Sequence, residues 1–354
     1  MTSRERVLAA FEGRATDKPA FSWGLGVNPP VRRALGERLG LDEAGVEAWL
    51  LARSDVRQIN LPYIGPADRE IQIGETYRDL WGVERSPFVN VQDTFLEISH
   101  YPLAGAECAA DVWAYDMPQA EWFDFSDLHR QLDEYADYAI LARAGNPFEC
   151  AWYMRGFEQI FYDMVDDPDI VEALMERVTQ YFEAYLMALF AAAQGRPIDL
   201  AFTADDLGSQ EGLITSLDMW ERFIKPYHVR LNAIIHKNNC RVLYHSDGAV
   251  ARALPGLIDA GIDILEAVQT DARGMEPEGL AAEFRGRLHF HGGVSVQKVL
   301  PYGTAEEVRR EVRRLIENLG PCGYILAPSH AIQAGTPVDN VLAMLEEAGR
   351  LDAW

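Results

Sequence analysis

Cysteine is scarce in this chain: Cys108, Cys150, Cys240 and Cys322 lie far apart, and no CxxC pair occurs. That excludes a disulfide framework and a thiolate zinc ribbon, and makes a reducing cytoplasm the simplest compartment. Basic charge is short as well. Against 55 Asp and Glu stand 32 Lys and Arg, a formal charge of −23 over 354 residues. A phosphate backbone or an anionic membrane surface wants a basic patch, so nucleic acid and membrane are excluded as partners. Long hydrophobic runs are missing too; the longest, around Tyr185 to Ala193, is too short to span a bilayer. The opening MTSRERVLAAFEGR carries charges where a signal peptide needs an apolar stretch. A soluble protein is expected.

What is present is ordinary globular material, 48% hydrophobic with 28 Gly and 18 Pro, enough for a large core. At about 150 residues per domain the length suggests two units, but parallel α/β barrels of this size are often one. The chain opens with a capped helix from Thr2 to Glu12, then a buried strand from Lys18 to Leu25. Pro29-Pro30 starts another helix, and Asp55 to His100 has the composition of a strand-and-hairpin region. Further helices are expected at Ser126–Ala144, Asp169–Ala193, Leu217–Lys237, Ala249–Ala260, after Pro277, at Thr304–Leu319 and at Val338–Leu351. Between them fall strands at Phe148–Tyr153, Ile198–Thr203, Arg241–His245, Ile262–Glu266, Leu288–His291 and Gly323–Ala327. Strands alternating with helices imply parallel pairing through right-handed crossovers. The expected architecture is one (β/α)8 TIM barrel over residues 1–354, with an elaborated N-terminal half.

A barrel places its chemistry at the C-terminal ends of its strands. Those positions hold Asp205-Asp206, His245 with Asp247, Glu266 with Gln269, His291, and Ser329-His330. In a strand, residues two apart share a face, so His245 and Asp247 can meet one ion, and His330 closes a later strand. Two imidazoles and a carboxylate suit zinc first, with iron or manganese open. The alternative is a satisfied polar turn in which Asp247 accepts from amides before Gly248. Of the adjacent aspartates only one lines a pocket easily; Asp206 is the candidate substrate or acid/base group. Glu266 is a candidate base or further ligand, and His291, ahead of two glycines, a candidate substrate contact. Arg155 at a strand-to-helix junction is either an anion holder or a structural bridge. Trp23, Trp152 and Tyr244 are either an aromatic wall for a flat substrate or simple core.

Four stretches, SRERVLAAFEGRATDKPAF, DDLGSQEGLITSLDMWERFIKPYH, LYHSDGAVARALPGLIDAGIDILEAVQ and the closing GGVSVQKVLPYGTAEEV…AGTPVDNVLAM, resemble the uroporphyrinogen decarboxylase superfamily. Within it they are similar to the branch of cobamide-linked methyltransferases. The decarboxylase branch grips substrate carboxylates with an Arg-Gln-Ala-Gly-Arg stretch; here that region is FSWGLGVNPP, with no arginine before Arg32. Ser54-Asp55 resembles the position of that branch's essential aspartate, but the arginine clamp is missing. The methyltransferase branch holds zinc with a His-x-Cys pair and a later Cys. His245 matches the His, Asp247 falls at the first Cys, and His330 at the second.

The substitution of oxygen and nitrogen for sulfur implies a harder ion site, suited to polarising oxygen rather than activating a thiol. The resemblance therefore implies methyl transfer from a small O-methylated substrate, such as an aryl methyl ether, to a corrinoid. No D-x-H-x-x-G cobalamin stretch occurs, so the corrinoid belongs to a separate partner protein. The superfamily often dimerises, which makes a homodimer a further expected partner. Two other classes stay open: a metal-dependent decarboxylase or lyase acting on a small carboxylic acid, and a non-catalytic ligand-binding member.

Overall fold

The computed structural model describes all residues except 73–74, 90–93, 321 and 352–354. Helix α1 (Ser3–Phe11) opens with a reciprocal cap: Thr2 accepts from Glu5 N, and the Glu5 carboxylate returns to Thr2 N. Strand β1 (Ala20–Phe21) is shorter than the expected Lys18–Leu25. Helices α2 (Pro29–Leu39) and α3 (Glu43–Arg53) lead to β2 (Val56–Gln58). The expected strand-and-hairpin region contains an antiparallel pair, Glu84–Val89 with Thr94–His100, outside the barrel sheet. Residues 73–74 and 90–93 of that region lie outside the described residues.

From here the alternation is regular. Strand β3 (Ala139–Gly145) leads to α4 (Pro147–Arg155) and the long α5 (Pro168–Ala193), and β4 (Leu200–Ala204) to α6 (Lys225–Lys237). Strands β5 (Arg241–His245), β6 (Ile264–Ala267) and β7 (His289–Val294) follow, then α7 (Ala305–Leu319), β8 (Tyr324–Pro328) and α8 (Val338–Glu347).

Three local expectations fail for identifiable reasons. Ser126–Ala144 is not one helix but a short helix, Leu128–Glu134, followed by β3. A strand buried on both faces shows an unbroken apolar run, which periodicity alone does not separate from a helix. Phe148–Tyr153 is not a strand but the body of α4. Pro147 occupies its first turn, and the buried Phe148, Ala151 and Met154 recur at helical spacing. Leu217–Lys237 is two helices, because Pro226 has no N–H to continue the ladder past Ile224.

The eight parallel strands run in the order β1-β8-β7-β6-β5-β4-β3-β2, a nearly closed barrel with flanking helices. Alternate residues fill its inside: Ala20, Ala139, Leu200, Phe202, Leu243, Ile264 and Ile325 form one cluster with Val7, Ala10 and Phe11 of α1. Helix α1 thereby plugs the N-terminal end, where Arg4 N also donates to Asp137 O just ahead of β3. The C-terminal end is left to the loops.

Candidate active site

Register places the first part of the site. Ala204, His245, Glu266 and His291 are aligned across β4, β5, β6 and β7, so Glu266 stands between two imidazoles. Its Oε2 is in close contact with His245 Nδ1, and its Oε1 lies 3.8 Å from His291 Nδ1. With Nδ1 engaged, His245 directs Nε2 upward, 3.5 Å from Asp206 Oδ1 and 3.7 Å from Asp247 Oδ1. A carboxylate behind a histidine in this way fixes the ring and makes the forward nitrogen the free ligand atom.

Two glycines bring the aspartates together. A Cβ on Gly208 would lie 2.6 Å from Asp247 O, and one on Gly248 (φ +82°) would lie 2.5 Å from Gly208. The loops after β4 and β5 therefore touch backbone to backbone, and Asp247 N donates to Asp206 Oδ1 at 2.9 Å. Gln269, from the loop after β6, holds the turn at both ends. Its Nε2 donates to Asp247 Oδ1 at 2.7 Å while its Oε1 accepts from Gly248 N.

Asp206, His245 and Asp247 each offer one ligand atom, all within 4.8 Å of one another. His330, expected as the third ligand, stands beside this group with Nε2 3.9 Å from Asp247 Oδ2, and Asp206 takes the nearer place. Charge favours a cation here. Burial alone would lower the His245 imidazole, but Glu266, Asp247 and Asp206 reverse that and lift it to about 10. Burial raises the Asp247 carboxyl, opposed by His245. Burial would raise Glu266 too, yet the neighbouring imidazoles hold it below the ordinary carboxylate range. Three carboxylates around one imidazole call for a positive charge, whether a proton or a divalent ion.

Beside this cluster opens a cavity of about 560 Å³. Asp206, His245 and His330 line it on one side, with Phe123, Tyr153, Tyr181, Phe182, Tyr185 and Phe202 as aromatic walls. Arg143, Asn146 and Glu149 add polar groups. The Glu149 carboxyl is pushed up to about 7, by burial first and then by Asp205 and Asp206. Its oxygens accept from Asn146 Nδ2 at 3.0 Å and from the Tyr153 hydroxyl at 3.2 Å. A second cavity of about 220 Å³ lies deeper, lined by Glu266, His291, Ser22 and Trp23, and shares Leu25, Gln58, Arg143 and Phe202 with the first.

The expected site residues divide accordingly. Asp206, His245, Asp247 and His330 come together at the mouth. Glu266 and His291 are buried behind them, and His291 Nε2 lies 2.6 Å from Ser22 Oγ. Trp23 borders the inner cavity, its Nε1 donating to Leu50 O. Trp152, Arg155 and Tyr244 border neither cavity. Arg155 bridges Asp163 and the carbonyls of Leu103, Ala104 and Ala106. Trp152 packs on Tyr153 and Phe157, and the buried Tyr244 donates to Asp205 O. Asp205 faces away from the mouth and caps α4, accepting from Phe148 N and Glu149 N, with His228 Nε2 at 2.6 Å. Asp55 is fully buried between Arg6, Arg350 and Phe21 N, out of reach of either cavity. Sequence reasoning misses Arg143 as a member of the cavity, because it puts that residue inside a helix and not at a strand end. Glu149 and Tyr153, from the stretch expected as a strand-to-helix junction, do reach the cavity, from a helix rather than a strand.

Comparison with known proteins agrees with this architecture. The family model described as Uroporphyrinogen decarboxylase (URO-D) matches residues 126–351. A uroporphyrinogen decarboxylase of Geobacter sp. (strain M21) is 26% identical over 261 residues, covering 68% of this chain and 70% of its own. One from Thermus thermophilus is 28% identical over 218 residues, 58% of each chain. Among solved structures, a methyltransferase from Methanosarcina mazei superposes with a TM-score of 0.67 at 19% identity, covering 99% of this chain and 98% of its own.

Proposed function

The chain belongs to the uroporphyrinogen decarboxylase family, and from that premise we propose that it is a metal-dependent methyltransferase, moving a methyl group from a small O-methylated substrate to a partner corrinoid protein. The observation that carries the reading is the donor cluster of Asp206, His245 and Asp247 at the edge of an aromatic cavity. The set fits a divalent ion: one imidazole and two carboxylates, backed by Glu266, with zinc first and iron or manganese as alternatives. Such an ion supplies Lewis acidity toward a substrate ether oxygen, and the methyl acceptor is carried by another chain.

The protein's own groups do the rest. Glu266 holds His245 in the tautomer that leaves Nε2 free, and Gln269 fixes Asp247. The rings of Phe123, Tyr181, Phe182 and Tyr185 exclude water and stack against a flat substrate. The oxygen that loses its methyl needs a proton; Glu149, poised at about 7, holds one near neutral pH. Porphyrinogen decarboxylation fits less well. Its substrate is a polycarboxylate, whereas Arg143 is the one guanidinium in the mouth lining among the described residues. Asp55 is moreover committed to Arg6 and Arg350. Decarboxylation of a small carboxylic acid is the second reading, favoured by that same Arg143.

Metal analysis of purified protein beside its His245→Ala and Asp247→Ala variants is the direct test. Stoichiometric metal in the wild type and loss in both variants is expected; metal unchanged in them, or absent from the wild type, sinks the site. Parallel assays of carbon dioxide release and of methyl transfer to a corrinoid protein then separate the two reactions.

A further inference from the structure

The buried arginines among the described residues all have partners: Arg57 the carbonyls of Leu51, Ser54 and Val56, the others acids. Arg6 and Arg350 share Asp55, and Arg155 bridges Asp163. Arg143, on β3, forms no salt bridge and no hydrogen bond among the described residues. Its guanidinium lies 4.7 Å over the Phe202 ring, and it lines both cavities. Strand register puts it beside Phe202, one step below the Ala204–His245–Glu266 row. A planar cation with five donors, held by a ring face and opening on a cavity, is built for a planar anion. The side chain is exposed to these cavities, yet desolvation by their walls opposes its charge, and Glu266 supports it.

We propose that Arg143 is the anion-binding residue of the cavity, and that the substrate is a carboxylated aromatic ring whose carboxylate pairs with Arg143 while its ether oxygen meets the Asp206–His245–Asp247 cluster. Three features of the cavity match the three parts of such a molecule. The guanidinium takes the carboxylate in a two-point pair, the aromatic walls take the ring, and the donor cluster faces the ether. The metal end of this assignment rests on the methyl-transfer reading; the anion end stands on Arg143 alone.

Calorimetric titration of the metal-loaded protein with 4-methoxybenzoate and with its uncharged methyl ester tests it. A charge-assisted pair in such a site gives the acid an advantage of roughly tenfold to a hundredfold over the ester. Arg143→Met is expected to abolish that advantage of acid over ester, and Arg143→Lys to restore part of it. Equal affinity of acid and ester in the wild type overturns the proposal without recourse to any variant. So does an advantage that survives Arg143→Met. Failure here is separable from failure of the methyl-transfer reading. Methyl transfer from anisole as fast as from 4-methoxybenzoate removes the anion site and keeps the reaction. Tight, Arg143-dependent binding of the acid without methyl transfer keeps the site and removes the reaction.

Discussion

His245 has three carboxylates around it, and their roles differ by position. Asp206 and Asp247 face its forward nitrogen from loops with partial access to solvent, whereas Glu266 is buried against the rear nitrogen. Glu266→Gln keeps the shape but removes the charge that orients the ring and raises its basicity. Metal affinity is expected to fall about 10- to 100-fold, read by chelator competition, with the fold intact; no change would mean Glu266 has no part in the site. Glu149 gives a second prediction, for metal-free protein. Its carboxyl has a pKa of about 7 in the folded state against 4.5 ordinarily. Between those values the folded chain holds a proton that the unfolded chain has lost, so stability falls as pH rises through this window. The loss amounts to about 3 kcal/mol and levels off above pH 7. Glu149→Gln should flatten that slope in urea midpoints taken at pH 5, 6 and 7.5. How far residues are legible in the sequence follows the same lines. His245 and Asp247 are readable because strand period and strand end coincide at HSDG. Asp206 is readable as a pocket residue, but its nearness to the ion cluster depends on the Gly208–Gly248 loop contact, which only the folded chain shows.

Helix α4 shows why some elements are not legible. FECAWY is a short apolar run whose period fits strand or helix, and what decides it is a partner 57 residues away. Asp205, at the end of β4, accepts from the first amides of α4, while His228 of α6 braces its other side. That long-range cap sets the helix across the barrel mouth and so brings Glu149 and Tyr153 to the cavity. Asp205→Ala removes two hydrogen bonds to helix amides and leaves His228 Nε2 without its partner. The expected cost is on the order of 3 kcal/mol in denaturant unfolding. Ligand affinity should weaken with it, since Glu149 loses its anchor; unaltered stability would show that Pro147 and packing suffice. Elements whose signals are local are legible from the sequence: the Thr304 capping box of α7 and the Pro-led starts of α2 and α5. Strand β3 is not, because its opening residues Ala139–Ala142 form an apolar run without alternation.

The whole molecule carries −23 charges, yet its balance at particular places is set by a few buried groups. At the mouth, acids gather where a cation offsets them. At the seam of the barrel the reverse holds: the buried Asp55 faces two buried arginines, Arg6 and Arg350, the first of which also pairs with Asp17. Strands β1 and β2 are the neighbours that do not pair in the sheet order. Asp55 bridges them, its N donating to Phe21 O at 2.8 Å and its Oδ2 accepting from Phe21 N at 2.9 Å. Arg6 from α1 and Arg350 beyond α8 converge on the same carboxylate, so the two ends of the chain close the barrel together. Asp55→Asn preserves the shape but leaves the buried Arg350 without a counter-charge and Arg6 with Asp17 alone. Breaking such a group costs about 3–5 kcal/mol, expected as a lower urea midpoint with unchanged slope. The same variant discriminates between reactions. If Asp55 acted on substrate, as in the decarboxylase branch, activity per folded molecule would collapse. With Asp55 confined to the seam, that activity should persist wherever the fold does, and the loss should appear in stability alone.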